Sequence, residues 1–306
     1  MKIIFFGTPS PCLYILKSIN EKFNISAVVS KNTPDNTKRR NFVKSNLYRF
    51  ALNEKIPFYE PNKIDESFIN AIKKYNPDLF LVCAYGKILP KSFINIPKYG
   101  TLNIHPSLLP KYRGPSPIQN TIISLDSITG YSIIKMDENI DSGDILYKSN
   151  PIILNKNEKY LDLMNLLFKE CSLKINSVIN KFIENKIILE KQIDSNATFT
   201  RLITKKDGLI SWNESSDIIE AKFRAFHDWP QVYSYHNNKR FKILKLEKTN
   251  ISSLKPGSIS KLNNFIHVDS SSNKIKLLSI KLDGKKEIDP LAYFGNFDSS
   301  KTILSQ

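Results

Sequence analysis

The sequence is short of the residues that build disulfide frameworks and metal centres. Its three cysteines, Cys12, Cys83 and Cys171, are odd in number and far apart. They speak against a disulfide framework and for a reducing, cytoplasmic setting. No pair has zinc-ligand spacing and the four histidines are scattered, so no bound metal is expected. No apolar run approaches the ~20 residues of a membrane helix. The opening MKIIFFGTPSPCLYILKSI mimics a secretion signal, but Gly7-Thr8-Pro9 interrupts it and no small-residue cleavage site follows. It reads instead as strand, turn and helix. The turn GTPSP lacks a G-x-G-x-x-G fingerprint, so a dinucleotide is not indicated. Acidic residues are also scarce, 29 against 45 lysines and arginines, which leaves a formal charge of +16.

A basic excess favours a polyanionic partner such as nucleic acid. Here it is carried mostly by lysine, in a chain rich in Ile, Lys and Asn as compositional drift would make it. Location must therefore decide. The charge is +10 over residues 1–204 and +6 over 205–306. The one dense cluster is 31–49, where Lys31, Lys38, Arg39, Arg40, Lys44 and Arg49 face a single acid, Asp35. Residues 31–41 contain no glycine.

What is present suits two domains. The chain has 306 residues, and 41% are hydrophobic, enough for substantial cores. KIIFF (2–6), ISAVVS (25–30), IPFYEP, PDLFLVCAYG (77–86), GTLNIH (100–105), TGYSIIKMD (129–137) and DILYKSNPI (144–152) read as strands. Helices are expected over 10–21 and 65–75, and one long amphipathic helix over 158–184. This alternation predicts an α/β domain over 1–184, with a doubly wound, mostly parallel, Rossmann-like sheet. Residues 185–208 are polar and weakly periodic, and read as a linker. Beyond them, a helix over 215–226 and several short strands predict a C-terminal OB-like β-barrel domain, 209–306. The Asn237-Asn238 pair between two alternating runs marks a hairpin.

In TLNIHPSLLP, Asn103 and His105 are i and i+2 on a strand and share one face. Pro106 biases His105 toward extended geometry. In doubly wound sheets, ligands gather beyond the carboxyl ends of the strands. Asn103, His105 and the Tyr85-Gly86 pair all sit there. The next strand runs into KMDENIDSGDIL, where Asp137, Asp141 and Asp144 crowd a loop with Gly143. An amide, an imidazole and a carboxylate without a serine or cysteine nucleophile suit attack of an amine on a carbonyl carbon. The amide would donate to an oxyanion, the imidazole would move a proton, and the carboxylate would orient the ring.

The strings NIHPSLLPKYRGPSPIQNTI (103–122), VCAYGKILP (82–90) and TGYSIIKMDENIDSGDIL (129–146) together resemble the formyltetrahydrofolate-dependent formyltransferase family. The resemblance implies Asn103, His105 and Asp141 as its catalytic set. It implies Ser107, Leu108, Leu109 and Pro110 as a folate-binding loop, and a pterin wall from backbone near Tyr85, Gly86, Ile88 and Leu89. Its co-substrate would be 10-formyltetrahydrofolate, with no metal. IIFFGTP, AYGKILPK, DSGDILYK, DGLISW (207–212) and RAFHDWP (224–230) extend the likeness over the whole chain. The fullest match is to the branch that formylates methionyl-initiator tRNA. The glycinamide-ribonucleotide branch is a single short domain. Enzymes acting on nucleotide-linked amino sugars are the alternative, followed by a non-catalytic folate- or tRNA-binding protein and a formyl-folate hydrolase. Lys38, Arg39, Arg40, Lys239, Arg240 and Lys242 are the expected tRNA contacts, and a monomer suffices.

Overall fold

The structure, a computed structural model, describes residues 1–31, 45–295 and Leu304. Its contacts fall into two compact units. One comprises Met1–Pro117, Ile128–Ile153 and Met164–Arg201; the other comprises Ile118–Ser127, Leu154–Leu163 and Leu202–Gln306.

The first unit begins with alternating elements: β1 (Lys2–Gly7), α1 (Cys12–Asn20), β2 (Asn24–Val29), α2 (Asn46–Asn53), β3 (Phe58–Tyr59), α3 (Glu66–Lys73), β4 (Leu79–Cys83), α4 (Lys91–Ile94) and β5 (Thr101–His105). Next in the chain come α5 (Pro117–Ile123), which belongs almost wholly to the second unit, then β6 (Ile128–Thr129), β7 (Ser132–Lys135), β8 (Ile145–Lys148), β9 (Ile152–Ile153), α6 (Tyr160–Ser172), whose first turn falls in the second unit, and α7 (Ile175–Ile183). The main sheet has the order β3-β2-β1-β4-β5-β7-β8. It is parallel through β5, and β7 and β8 add an antiparallel edge. Every residue of β4 is buried, as a parallel strand covered on both faces requires. Strand order reverses between β1 and β4, which pair with Gly7 opposite Cys83. The carboxyl ends of these strands form the crevice where such sheets hold ligands. An aromatic core lies beneath, where Phe6 meets Phe80, Tyr85 and Phe93 edge to face.

The long helix expected over 158–184 is two helices, α6 and α7. The buried positions Leu163, Leu167, Cys171, Ile175 and Val178 stay in phase across the break, so the sequence pattern carries no sign of it. The break is made by tertiary hydrogen bonds. The Ser18 hydroxyl donates to the Ser172 carbonyl at the end of α6 (2.6 Å), and the Asn176 amide reaches back to the Ser18 carbonyl (2.9 Å).

The second unit holds α8 (Ser216–Ala225), β10 (Tyr233–His236), β11 (Lys239–Ser252), β12 (Ile259–Leu262), β13 (Phe265–Asp269), β14 (Asn273–Leu282), β15 (Glu287–Ile288) and α9 (Pro290–Phe294). The strands make an antiparallel OB-like sheet of order β10-β11-β14-β13-β12, with β15 on β14. Asn237-Asn238 closes the β10–β11 hairpin with both residues at positive φ, which asparagine tolerates and a type I′ turn demands. Asn263-Asn264 does the same between β12 and β13.

Candidate active site

The site lies wholly within the first unit. Strand β5 has β4 on one side and β7 on the other, so its carboxyl end is held from both flanks. There the Asn103 amide Nδ2 donates to Asp141 Oδ1 at 3.0 Å. His105 is 4% exposed. Its Nδ1 lies 3.5 Å from Asp141 Oδ2, and its Nε2 lies 2.9 Å from the Tyr112 carbonyl oxygen. That carbonyl can only accept, so Nε2 carries hydrogen and Nδ1 faces the carboxylate. The backbone N–H of Gly114 donates to the same Oδ2 at 2.9 Å. Asn103, His105 and Asp141 are thus brought together. Asp137 is instead occupied by the Ser142 hydroxyl and the Asn139 N–H, while the Asp144 carbonyl takes the Lys135 N–H.

Asp141 adopts φ +50°, a left-handed conformation that a β-carbon disfavours. Gly143 explains part of the loop's path. A β-carbon there would come within 1.8 Å of the Lys135 carbonyl oxygen, so only glycine lets the loop lie so close to β7.

The 107–110 loop is fixed from within. The Ser107 hydroxyl donates to the Lys111 carbonyl, and the Ser132 hydroxyl donates to the Ser107 carbonyl while accepting from the Leu109 N–H. Leu109 is buried against Ile134 and Ile145. Leu108 and Pro110 stay half-buried at the surface of the loop. After β4 the Tyr85 ring turns into the core, and its carbonyl accepts from the Thr8 hydroxyl at 3.0 Å. Burial pushes the Tyr85 hydroxyl up to about 12. Gly86 at φ +72° has, among the described residues, only the Lys31 side chain within reach of a β-carbon. Ile88 is 90% exposed while Leu89 is buried. This strip of open backbone and uncovered apolar side chain suits one face of a flat heterocycle with an amide-like edge.

The sequence reading assigned no role to Arg113 or Gln192, though Arg113 lies inside the KYRGPSP string. Within the stretch 185–208, expected as a linker, residues 190–200 border the site. Glu190 pairs with Ile145, and residues 198–200 pair with Tyr112 and Arg113. Its short polar turns have no period to betray this.

Of the expected tRNA contacts, Lys38, Arg39 and Arg40 lie outside the described residues. Lys239 is exposed at the start of β11. Arg240 makes a two-pronged pair with Asp283 (2.9 and 3.0 Å), and Lys242 donates to the Gln231 side chain at 2.7 Å. Among the described residues, no group of three or more His, Cys, Asp or Glu could hold a metal ion. No described helix is long and apolar enough to cross a membrane.

Residues 1–172 match the family model described as formyl transferase, and residues 202–297 match that of the formyl transferase C-terminal domain. A methionyl-tRNA formyltransferase of Caldicellulosiruptor saccharolyticus is 35% identical over 314 residues, covering 100% of both chains. One from Orientia tsutsugamushi is 34% identical over 292 residues, 94% of each. Among solved structures, the sugar 3N-formyl transferase WlaRD, determined with dTDP and 5-N-formyl-THF, superposes with a TM-score of 0.66 at 21% identity, over 94% of this chain and 99% of its own. HypX of Aquifex aeolicus in complex with tetrahydrofolic acid gives 0.63 at 14% identity, over 96% of this chain and 47% of its own. The structural likenesses establish the fold.

Proposed function

Since this chain belongs to the formyl transferase family, we propose that it transfers the formyl group of 10-formyltetrahydrofolate to the α-amino group of methionyl-initiator tRNA, giving formylmethionyl-tRNA for translation initiation. The observation that carries this reading is the end-to-end match to methionyl-tRNA formyltransferases, both units included. The site geometry supports it.

When bound, the folate supplies a formyl carbon activated by its ring-side nitrogen. The chain's residues do the rest. Asn103 gives one amide hydrogen to Asp141, which leaves its second N–H to donate to the oxygen that turns negative as the amine attacks. His105 holds its Nε2 hydrogen on Tyr112, so Nδ1 is the nitrogen that takes the amine's proton. Asp141 lies beside Nδ1 and stabilises the charge that the ring then carries. Delivery of that proton to the departing folate nitrogen completes the balance: one N–H is lost by the amine and one is gained by tetrahydrofolate. The wall at 85–89 and the 107–110 loop, through Leu108 and Pro110, hold the co-substrate.

The basic residues serve the other substrate. Lys38, Arg39, Arg40 and Lys239 meet tRNA phosphates, while Arg240 and Lys242 exchange Asp283 and Gln231 for phosphate oxygens. On this reading the working unit is a monomer. Three free, buried cysteines suit a cytoplasmic enzyme.

The test offers labelled formyltetrahydrofolate with methionyl-initiator tRNA, glycinamide ribonucleotide or a nucleotide-linked amino sugar, each with an His105→Ala control. Label passes to methionyl-tRNA alone and is lost in the variant. Label on the amino sugar instead would reassign the acceptor, and transfer to none would leave a binding protein.

A further inference from the structure

The loop that presents Asp141 is held from outside by two side chains that the reaction does not consume. Gln192 donates from Nε2 to two backbone carbonyls of that loop, those of Asp141 and Gly143, at 2.8 Å each. Its Oε1 accepts from Arg113 Nε at 2.9 Å. Arg113 is 4% exposed, and its Nη2 donates to Asp194 at 2.8 Å. A glutamine amide can face either way, but a guanidinium only donates. Arg113 therefore sets the direction: Oε1 toward the guanidinium, Nε2 toward the two carbonyls. On its other side the loop rests on Gly143 against the Lys135 carbonyl. Between these supports Asp141 keeps its left-handed backbone, and its two oxygens reach Asn103, His105 and the Gly114 N–H.

We propose that Gln192, oriented by Arg113, is the positioning residue that holds the Asp141 carboxylate in register with Asn103 and His105. The proposal rests on the role given to Asp141 above. It acts through geometry: a carboxylate displaced by about 1 Å can cost on the order of 10²-fold in rate.

The variants are Gln192→Leu, which removes the amide, and Gln192→Glu, which keeps the acceptor for Arg113 but sets a carboxylate oxygen against two carbonyls. Each lowers kcat for methionyl-tRNA on the order of 10²-fold, with KM for folate and acceptor unchanged. In an Asp141→Asn background Gln192→Leu costs nothing further, because the carboxylate it positions is already neutralised. A merely structural role would lower that residual activity again. Hydrogen exchange of the Gly114 amide, read by NMR, is independent of any acceptor. Its protection falls in both variants, while amides of β1 and β4 keep theirs. Should the leucine variant not fold, the glutamate variant, matched in shape, carries the same measurements. Unchanged Gly114 protection, or additive losses in the double variant, would overturn the proposal. A wild-type protein inert toward methionyl-tRNA, with Gly114 exchange still answering to Gln192, would sink the acceptor assignment and support the positioning role.

Discussion

Tyr85 carries a buried hydroxyl with no hydrogen-bond partner among the described residues, in a ring packed edge to face on Phe6. An unsatisfied buried group costs about 1–3 kcal/mol. Tyr85→Phe should therefore stabilise the protein by about 1 kcal/mol, read as a higher urea midpoint by circular dichroism; a lower midpoint would mean that the hydroxyl has a partner in solution. The side chains that meet at Asp141 differ in how far the sequence exposes them. Asn103 and His105 are legible because an i, i+2 pair on a strand must share a face. By position Asp141 is one of three acids, and before the loop is folded the family resemblance alone singles it out. Gln192 is invisible because its role depends on side-chain bonds to residues 49 and 51 positions away, and no local pattern encodes them.

At the scale of elements, strands were easier to read than interruptions. The buried run of β4 and the Asn-Asn hairpin turn follow from composition and backbone preference. The break between α6 and α7 does not, because Ser18 makes it from another helix. The C-terminal strands contribute a pH dependence of their own. His236 ends β10 and His267 lies in β13, both buried. Burial pushes both imidazoles below their ordinary value. Lys239 adds to this at His236; at His267 the Phe265 carbonyl opposes it and Lys274 and Lys276 reinforce it. The folded state thus binds fewer protons than the unfolded chain. Stability is full above about pH 6.5 and declines as pH falls toward the folded values. The chain's two tryptophans, Trp212 and Trp229, both lie in this unit, so their fluorescence follows its unfolding. The urea midpoint should fall between about pH 7 and 5, and less steeply in His267→Gln. A flat midpoint would show that both rings titrate alike in the two states.

At the scale of the whole molecule, the charge of +16 is a statement about ionic strength. A protein that neutralises phosphates loses affinity steeply as salt displaces it, with a slope near 0.7–0.9 for each phosphate contact. Replacing Lys38, Arg39 and Arg40 together by alanine should weaken binding of methionyl-tRNA at low salt and flatten that slope by about two units. Filter binding between about 50 and 200 mM salt would show it; an unaltered slope would leave the cluster as composition alone. The order in which the chain is made also matters. Asn103, His105 and Asp141 are followed only much later by Gln192, which holds the Asp141 loop, and by Thr198 and Thr200, which hold the backbone of Tyr112 and Ser116. A ribosome adding about 5–20 residues per second emits the reactive groups several seconds before their supports. A message truncated before codon 190 therefore yields a chain with every reacting group but without Gln192, the donor to the Asp141 and Gly143 carbonyls, so competence arrives late in synthesis.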